Sequence, residues 1–369
     1  MSKRFRIAAM LAALAGACAA IAAEPARPPV GVAFAAYDDA ARRNWADTGP
    51  RPLGTVVWYP AAAGSREAPW TVEIFDAGRV AKDATMAPRP AKLPLVLLSH
   101  GTGGAGPTLA WLAETLAARG YVVAAVNHHG NTGAEPAYRL EGFMVWWDRP
   151  RDLSLLIDKL LADPRFGPRI DASRIGVAGF SLGGYTTLAM VGARLDYAKW
   201  RAHCDAAPAD VHCKLPPEIA SKFAQGDAER LLRDDPRMKQ AYEHMGDSYR
   251  DARIRSAYAI APVMGPVFVP QSLAQIDVPV RIVVGTRDDQ AVPELTARPV
   301  AAAIPHATLE LVPGATHYVW LATCNTLGRT VARQVCVDPE GLDRDALHQR
   351  TADDAAAFFD RTLAAAAHP

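Results

Sequence analysis

The chain has 369 residues, 50% of them hydrophobic, which is ample for one large buried core and excludes a small disulfide scaffold. Lys plus Arg number 40 against 39 Asp plus Glu, so the net charge of +1 recommends neither nucleic acid nor an anionic membrane as a partner. One domain carrying an insertion is expected, acting on a substrate that long-range charge does not select.

Lys3, Arg4 and Arg6 precede an apolar run from Ile7 to Ala20, and the small residues Ala20, Ala22 and Ala23 follow before Glu24 and Pro25. This three-part pattern predicts a secretory signal peptide over residues 1–23, and hence export to the periplasm or beyond. The run is too short to span a bilayer, and no later stretch is long enough, so no transmembrane segment is expected. Lipoprotein anchoring at Cys18 is disfavoured, because Leu14 stands one position too far away for a good acylation box. Four cysteines then remain, in two local pairs: Cys204 with Cys213, and Cys324 with Cys336. Export makes disulfides available, and closeness in sequence favours these pairings. His203 and His212 beside the first pair leave a four-ligand zinc site as the alternative, which the oxidising compartment argues against.

Residues 30–369 read as one α/β domain. Two strand-like runs, Gly31 to Ala36 and Gly54 to Pro60, look like an antiparallel opening, and residues 61–92 read as a polar loop. PLVLLSHG (Pro94 to Gly101) is a buried strand running into the glycine-rich loop His100 to Gly106. A helix from Leu109 to Arg119, a strand from Tyr121 to Gly130, a helix from Arg149 to Ala162 and a strand from Ile175 to Ala178 come next. Such alternation predicts a mostly parallel sheet with helices on both faces and a ligand at the carboxyl ends of its strands. It stops at about residues 194–255, a polar stretch with an amphipathic helix expected over Pro217 to Leu232, which reads as an inserted cap. Strands at Ser256 to Pro262, Val278 to Gly285 and Thr308 to Val312 resume the sheet, with a helix at Glu294 to Ile304 and a terminal helix at Asp343 to Ala366.

The stretch RIGVAGFSLGGYTTLAM (Arg174 to Met190) carries the chemistry. Its Gly179, Ser181 and Gly183 stand in G-x-S-x-G spacing between a strand and a helix. Such a turn doubles back so tightly that its flanks must be small, and it lifts the serine hydroxyl clear of the sheet. A serine needs a base to take its proton and a carboxylate to fix the base's tautomer. The chain order Ser, then Asp, then His puts Asp288 after the strand ending at Gly285 and His317 after the last strand. Counting back from Pro293 selects Asp289 instead of Asp288, and the strand end is the preferred ruler. The oxyanion donors are expected to be the backbone N–H groups of Leu182 and Thr102. His100 and His128 read as loop-ordering or pocket-lining, and His129, His244, His306, His348 and His368 as surface histidines. No metal or cofactor is called for.

The blocks SHGTGG, YVVAAVNHHGNT, RIGVAGFSLGGYT, VPVRIVVGTRDD and LVPGATHYVWL resemble the secreted bacterial α/β-hydrolases of the dienelactone hydrolase-like group, related to the plasma-type platelet-activating-factor acetylhydrolases. The resemblance runs from about Gly31 to Cys336 and implies a serine carboxylesterase with Ser181, an Asp after Gly285 and His317 as its triad. Two departures limit it. True dienelactone hydrolases carry cysteine where Ser181 stands, and many acetylhydrolase relatives carry histidine where Phe180 stands. The expected substrate is a small-molecule or lipid-like ester. Polyester cleavage is the close alternative, suggested by Trp146, Trp147, Tyr318 and Trp320, whose competing role is packing. A non-catalytic binding module on the same fold is the alternative of another class, and it would usually lack one triad member.

Overall fold

The computed structural model describes residues 27–89 and 91–364, so the expected signal peptide and Cys18 lie outside the described residues. Among the described residues ten strands form one sheet, in the order β10-β9-β8-β7-β5-β6-β2-β1-β4-β3. The strands are β1 (Val30–Arg43), β2 (Pro50–Pro60), β3 (Ala68–Val72), β4 (Phe75–Lys82), β5 (Leu93–Ser99), β6 (Val122–Val126), β7 (Ile170–Phe180), β8 (Ile254–Ile260), β9 (Val280–Gly285) and β10 (Ala307–Val312). From β6 to β10 every neighbouring pair is parallel, whereas β1 and β2 form an antiparallel opening. Among them β5, β6 and β9 are nearly continuous apolar runs, as burial on both faces requires.

Register decides where the site can be. Ser99 at the end of β5 sits opposite Val126 of β6 and Gly179 of β7, Phe180 opposite Ile260, and Val312 of β10 opposite Gly285 of β9. The residues just beyond these ends therefore emerge along one edge of the sheet. The main helices are α1 (Ala110–Ala118), α2 (Arg149–Ala162), α3 (Leu182–Met190), α4 (Tyr197–Ala206), α5 (Gln225–Asp234), α6 (Pro236–Glu243), α7 (Ala297–Ala303) and α8 (Arg344–Thr362).

Two expectations need correction. Residues 61–92 are not a loop throughout, because β3 and β4 form a hairpin with Val72 paired to Phe75. Its turn, Glu73 and Ile74, carries none of the glycine or asparagine signals of tight hairpins, and Glu73 takes a φ of 51° without them. Trp70, Ala77, Val80 and Ala81 are its buried residues, and most of the others are exposed. The expected helix over Pro217 to Leu232 begins late, as α5. The Asp227 carboxylate accepts a 2.8 Å bond from the Ala224 N–H and starts the helix there, while Ile219 turns inward to full burial.

Both cysteine pairs are bridged, Cys204 to Cys213 and Cys324 to Cys336, each with Cα atoms 5.4 Å apart. Non-reducing peptide mapping is expected to recover these two bridges, each worth about 2 to 3 kcal/mol for loops of this size. Free thiols at all four positions would contradict the assignment.

Candidate active site

Ser181 caps α3 at the end of β7 with φ 58° and ψ −117°, a conformation that L residues rarely adopt. A Cβ on Gly183 would run into the Ser99 carbonyl, and one on Gly179 into the Gly183 carbonyl, so both flanks of the turn must be glycine. The Ser181 hydroxyl donates a 2.9 Å hydrogen bond to Nε2 of His317. On its other side, Nδ1 of His317 lies 2.9 Å from both oxygens of Asp288. A carboxylate only accepts, so the proton sits on Nδ1 and leaves Nε2 free to receive the serine's. The Asp288 carboxylate is itself held by the backbone N–H groups of Gln290 at 3.0 Å and Ala291 at 2.6 Å. Asp288 is buried, whereas Asp289 is exposed. Burial by itself would push the His317 imidazolium down; the Asp288 carboxylate outweighs it, with smaller help from Glu218 and Asp289, so the pKa is raised.

Leu182 opens α3, where a helix leaves its first N–H groups without internal partners. Thr102 lies in the loop after β5, and both residues line a cavity of about 200 Å³ together with Ser181 and His317. Its apolar wall includes Phe143, Met144, Trp146 and Trp200. A second cavity of about 680 Å³ also reaches Ser181, Thr102 and His317, and runs out past Trp70, Tyr138 and Phe34. Glu218, from the stretch between α4 and α5, lines both cavities and accepts a 3.1 Å bond from the Tyr318 hydroxyl. Sequence reasoning missed Glu218: a single carboxylate after two prolines carries no signal of its own.

The remaining histidines sort by burial. His100 and His128 are buried behind the loop and order it. Nδ1–H of His128 donates to Asp152 at 2.9 Å, and its Nε2 accepts from the Ser99 hydroxyl at 2.9 Å. Desolvation first, then the Arg149 charge, hold His128 down to about 3, hence neutral. His129 and His348 are not surface residues. His129 bonds Glu135 at 2.7 Å and accepts from the Trp45 N–H, while His348 stacks on Trp111 at 4.4 Å and donates to the Val319 carbonyl. His244 and His306 are exposed, and His368 lies outside the described residues. Of the aromatics, Trp147 and Trp320 are core, whereas Trp146 and Tyr318 line the cavities. His203, Asp210 and Cys213 bring potential ligand atoms within 4.8 Å of one another, but the Cys213 sulfur is spent in its bridge to Cys204.

The serine aminopeptidase S33 family model matches residues 90–322, which run from β5 to beyond His317. The chain belongs to this family of α/β-hydrolases. A stretch of 103 residues is 34% identical to two cutinases of Thermobifida alba, est1 and est2, covering 27% of this chain. The match spans 31% of the length of each of those relatives. A ferulic acid esterase from Streptomyces cinnamoneus is similar over 95% of this chain and 94% of its own, with a TM-score of 0.61 and 24% identity, which shows the shared fold. Among the described residues, no helix is long and apolar enough to cross a membrane.

Proposed function

We propose that this S33-family chain is a serine carboxylic-ester hydrolase, exported from the cytoplasm, that works through an acyl-enzyme. The observation that carries the reading is the unbroken hydrogen-bond chain from Ser181 through His317 to Asp288, at a point where two largely apolar cavities meet. Ser181 Oγ attacks the ester carbonyl while Nε2 of His317 takes its proton, and the Asp288 carboxylate stabilises the imidazolium that forms. Backbone N–H groups of Leu182 and Thr102 receive the negative charge on the carbonyl oxygen. Collapse expels the alcohol, which takes the proton from His317. Water then repeats the sequence on the acyl-enzyme, releasing the acid and restoring Ser181. The segment 194–255 acts as a cap, since Trp200, Leu215 and Glu218 form one wall of the smaller cavity. The blocks resembling dienelactone hydrolase-like proteins support the same chemistry, as does the partial match to cutinases.

A p-nitrophenyl ester series of increasing acyl length tests the reading, with saturable hydrolysis as the supporting result. Polyester or lipid-ester cleavage is the second reading, favoured by Phe34, which is 52% exposed at the larger cavity. Faster release from a polyester film than from soluble esters would select it.

The pH dependence has a defined sign. Protonated His317 cannot accept the serine's proton, and its pKa is raised above the ordinary 6.5. Activity is therefore expected to fall on the acid side with a midpoint in kcat/KM above about 6.5. A pH–rate profile whose acid limb has its midpoint below about 5.5 would contradict the assignment of His317 as base.

A further inference from the structure

Arg149, the first residue of α2, is only 2% exposed, yet among the described residues no carboxylate pairs with it directly. Asp152, one turn further along α2, is already taken up by Arg42, Arg51 and His128. The Arg149 guanidinium instead goes to two successive carbonyls of the loop after β5: Nη1 donates to His100 at 2.7 Å and Nη2 to Gly101 at 3.3 Å. The Gly101 carbonyl also receives the His100 Nδ1–H at 2.7 Å and the Gly104 N–H at 3.2 Å. Burying an arginine for two neutral acceptors is costly, so a role beyond strapping a loop is called for.

Peptide geometry supplies it. In a trans peptide the C=O and the following N–H point in opposite directions. Fixing the Gly101 carbonyl toward Arg149 therefore fixes the Thr102 N–H away from it, and Thr102 itself lines both cavities with Ser181. Among the described residues the Thr102 N–H bonds to no other protein group, which leaves it open to a ligand oxygen. The loop also rests on the nucleophile turn, since a Cβ on Gly101 would lie 3.5 Å from that of Ser181.

We propose that Arg149 is the positioning residue of the oxyanion hole: it holds the 101–102 peptide so that the Thr102 N–H faces the oxygen that becomes negative during attack on the ester. The proposal rests on the esterase reading above. A positioning role of this kind acts on the transition state rather than on the ground state. Arg149→Met is expected to lower kcat by about 10²- to 10³-fold, as loss of one oxyanion donor does, with KM changed less than about threefold. Affinity for a trifluoromethyl ketone, which mimics the tetrahedral intermediate, falls by a similar factor. Arg149→Lys keeps the charge but reaches one carbonyl, so its kcat lies between the two, and millimolar ethylguanidinium restores Arg149→Ala at least about tenfold. A folded Arg149→Met enzyme with kcat within threefold of wild type, or unchanged affinity for the ketone, overturns the proposal. Should the Met variant not fold, wild-type kcat in Arg149→Lys does so instead. If Ser181→Ala retains activity, the esterase reading itself has failed; if Ser181→Ala is inactive and the Arg149 variants are normal, only the positioning role has.

Discussion

Ser181→Ala is expected to lower kcat for ester hydrolysis by about 10⁴- to 10⁶-fold while leaving the melting temperature within a degree or two of wild type. The size reflects the group removed: without Oγ there is no acyl-enzyme, and the surviving rate comes from binding and the oxyanion donors alone. The small effect on stability also has a physical basis. Alanine keeps the Cβ that already sits at φ 58°, so the backbone strain is unchanged, and among the described residues the hydroxyl bonds only His317. That bond is worth about 1 kcal/mol net. More than a tenth of wild-type activity in a folded variant would contradict the mechanism.

The second large effect separates two adjacent carboxylates. Asp288→Asn is expected to cost about 10⁴ in kcat, because an amide in that place can donate to Nδ1 and hold His317 in the tautomer whose Nε2 already carries a proton. Asp288 has both oxygens 2.9 Å from Nδ1 and two backbone N–H groups to keep it there. Asp289 is exposed and reaches His317 only through space, where solvent screening is strong. Asp289→Asn is therefore expected to cost less than about tenfold. Steady-state kinetics of the two variants decide it, and the reverse order would move the carboxylate role to Asp289.

How much of this could be read from the chain depends on whether the signal was local. Gly179, Ser181 and Gly183 announce a turn that only glycine flanks permit, and the turn itself specifies the strand before and the helix after. That Asp288 and His317 meet at the end of the sheet was legible because parallel strands in register bring the residues just beyond their ends to one edge, a position that counting from Gly285 and Val312 gives. The β3–β4 hairpin was missed because its turn has no glycine or asparagine and most of its residues are exposed. The helix around Ile219 was misplaced because burial of one isoleucine competes with an amphipathic pattern, and tertiary packing decides that contest. Arg149 and Glu218 were illegible for another reason. Their importance lies in the groups they meet across the fold, a pair of carbonyls on the loop after β5 in one case and the Tyr318 hydroxyl in the other, and nothing in their own neighbourhoods encodes the partner. His348 shows the same limit, since its burial under Trp111 depends on α8 packing back onto α1.

Covalent labelling tests the proposed role of Ser181, a nucleophile activated by His317 and Asp288, without any assumption about the substrate. The purified protein is incubated with a fluorophosphonate, and the adduct is located by intact mass and peptide sequencing. One phosphonyl group per chain is expected, on Ser181, absent from Ser181→Ala and slowed at pH values below the raised His317 pKa. A folded wild-type protein that takes up no label, or one labelled on another serine, would contradict it.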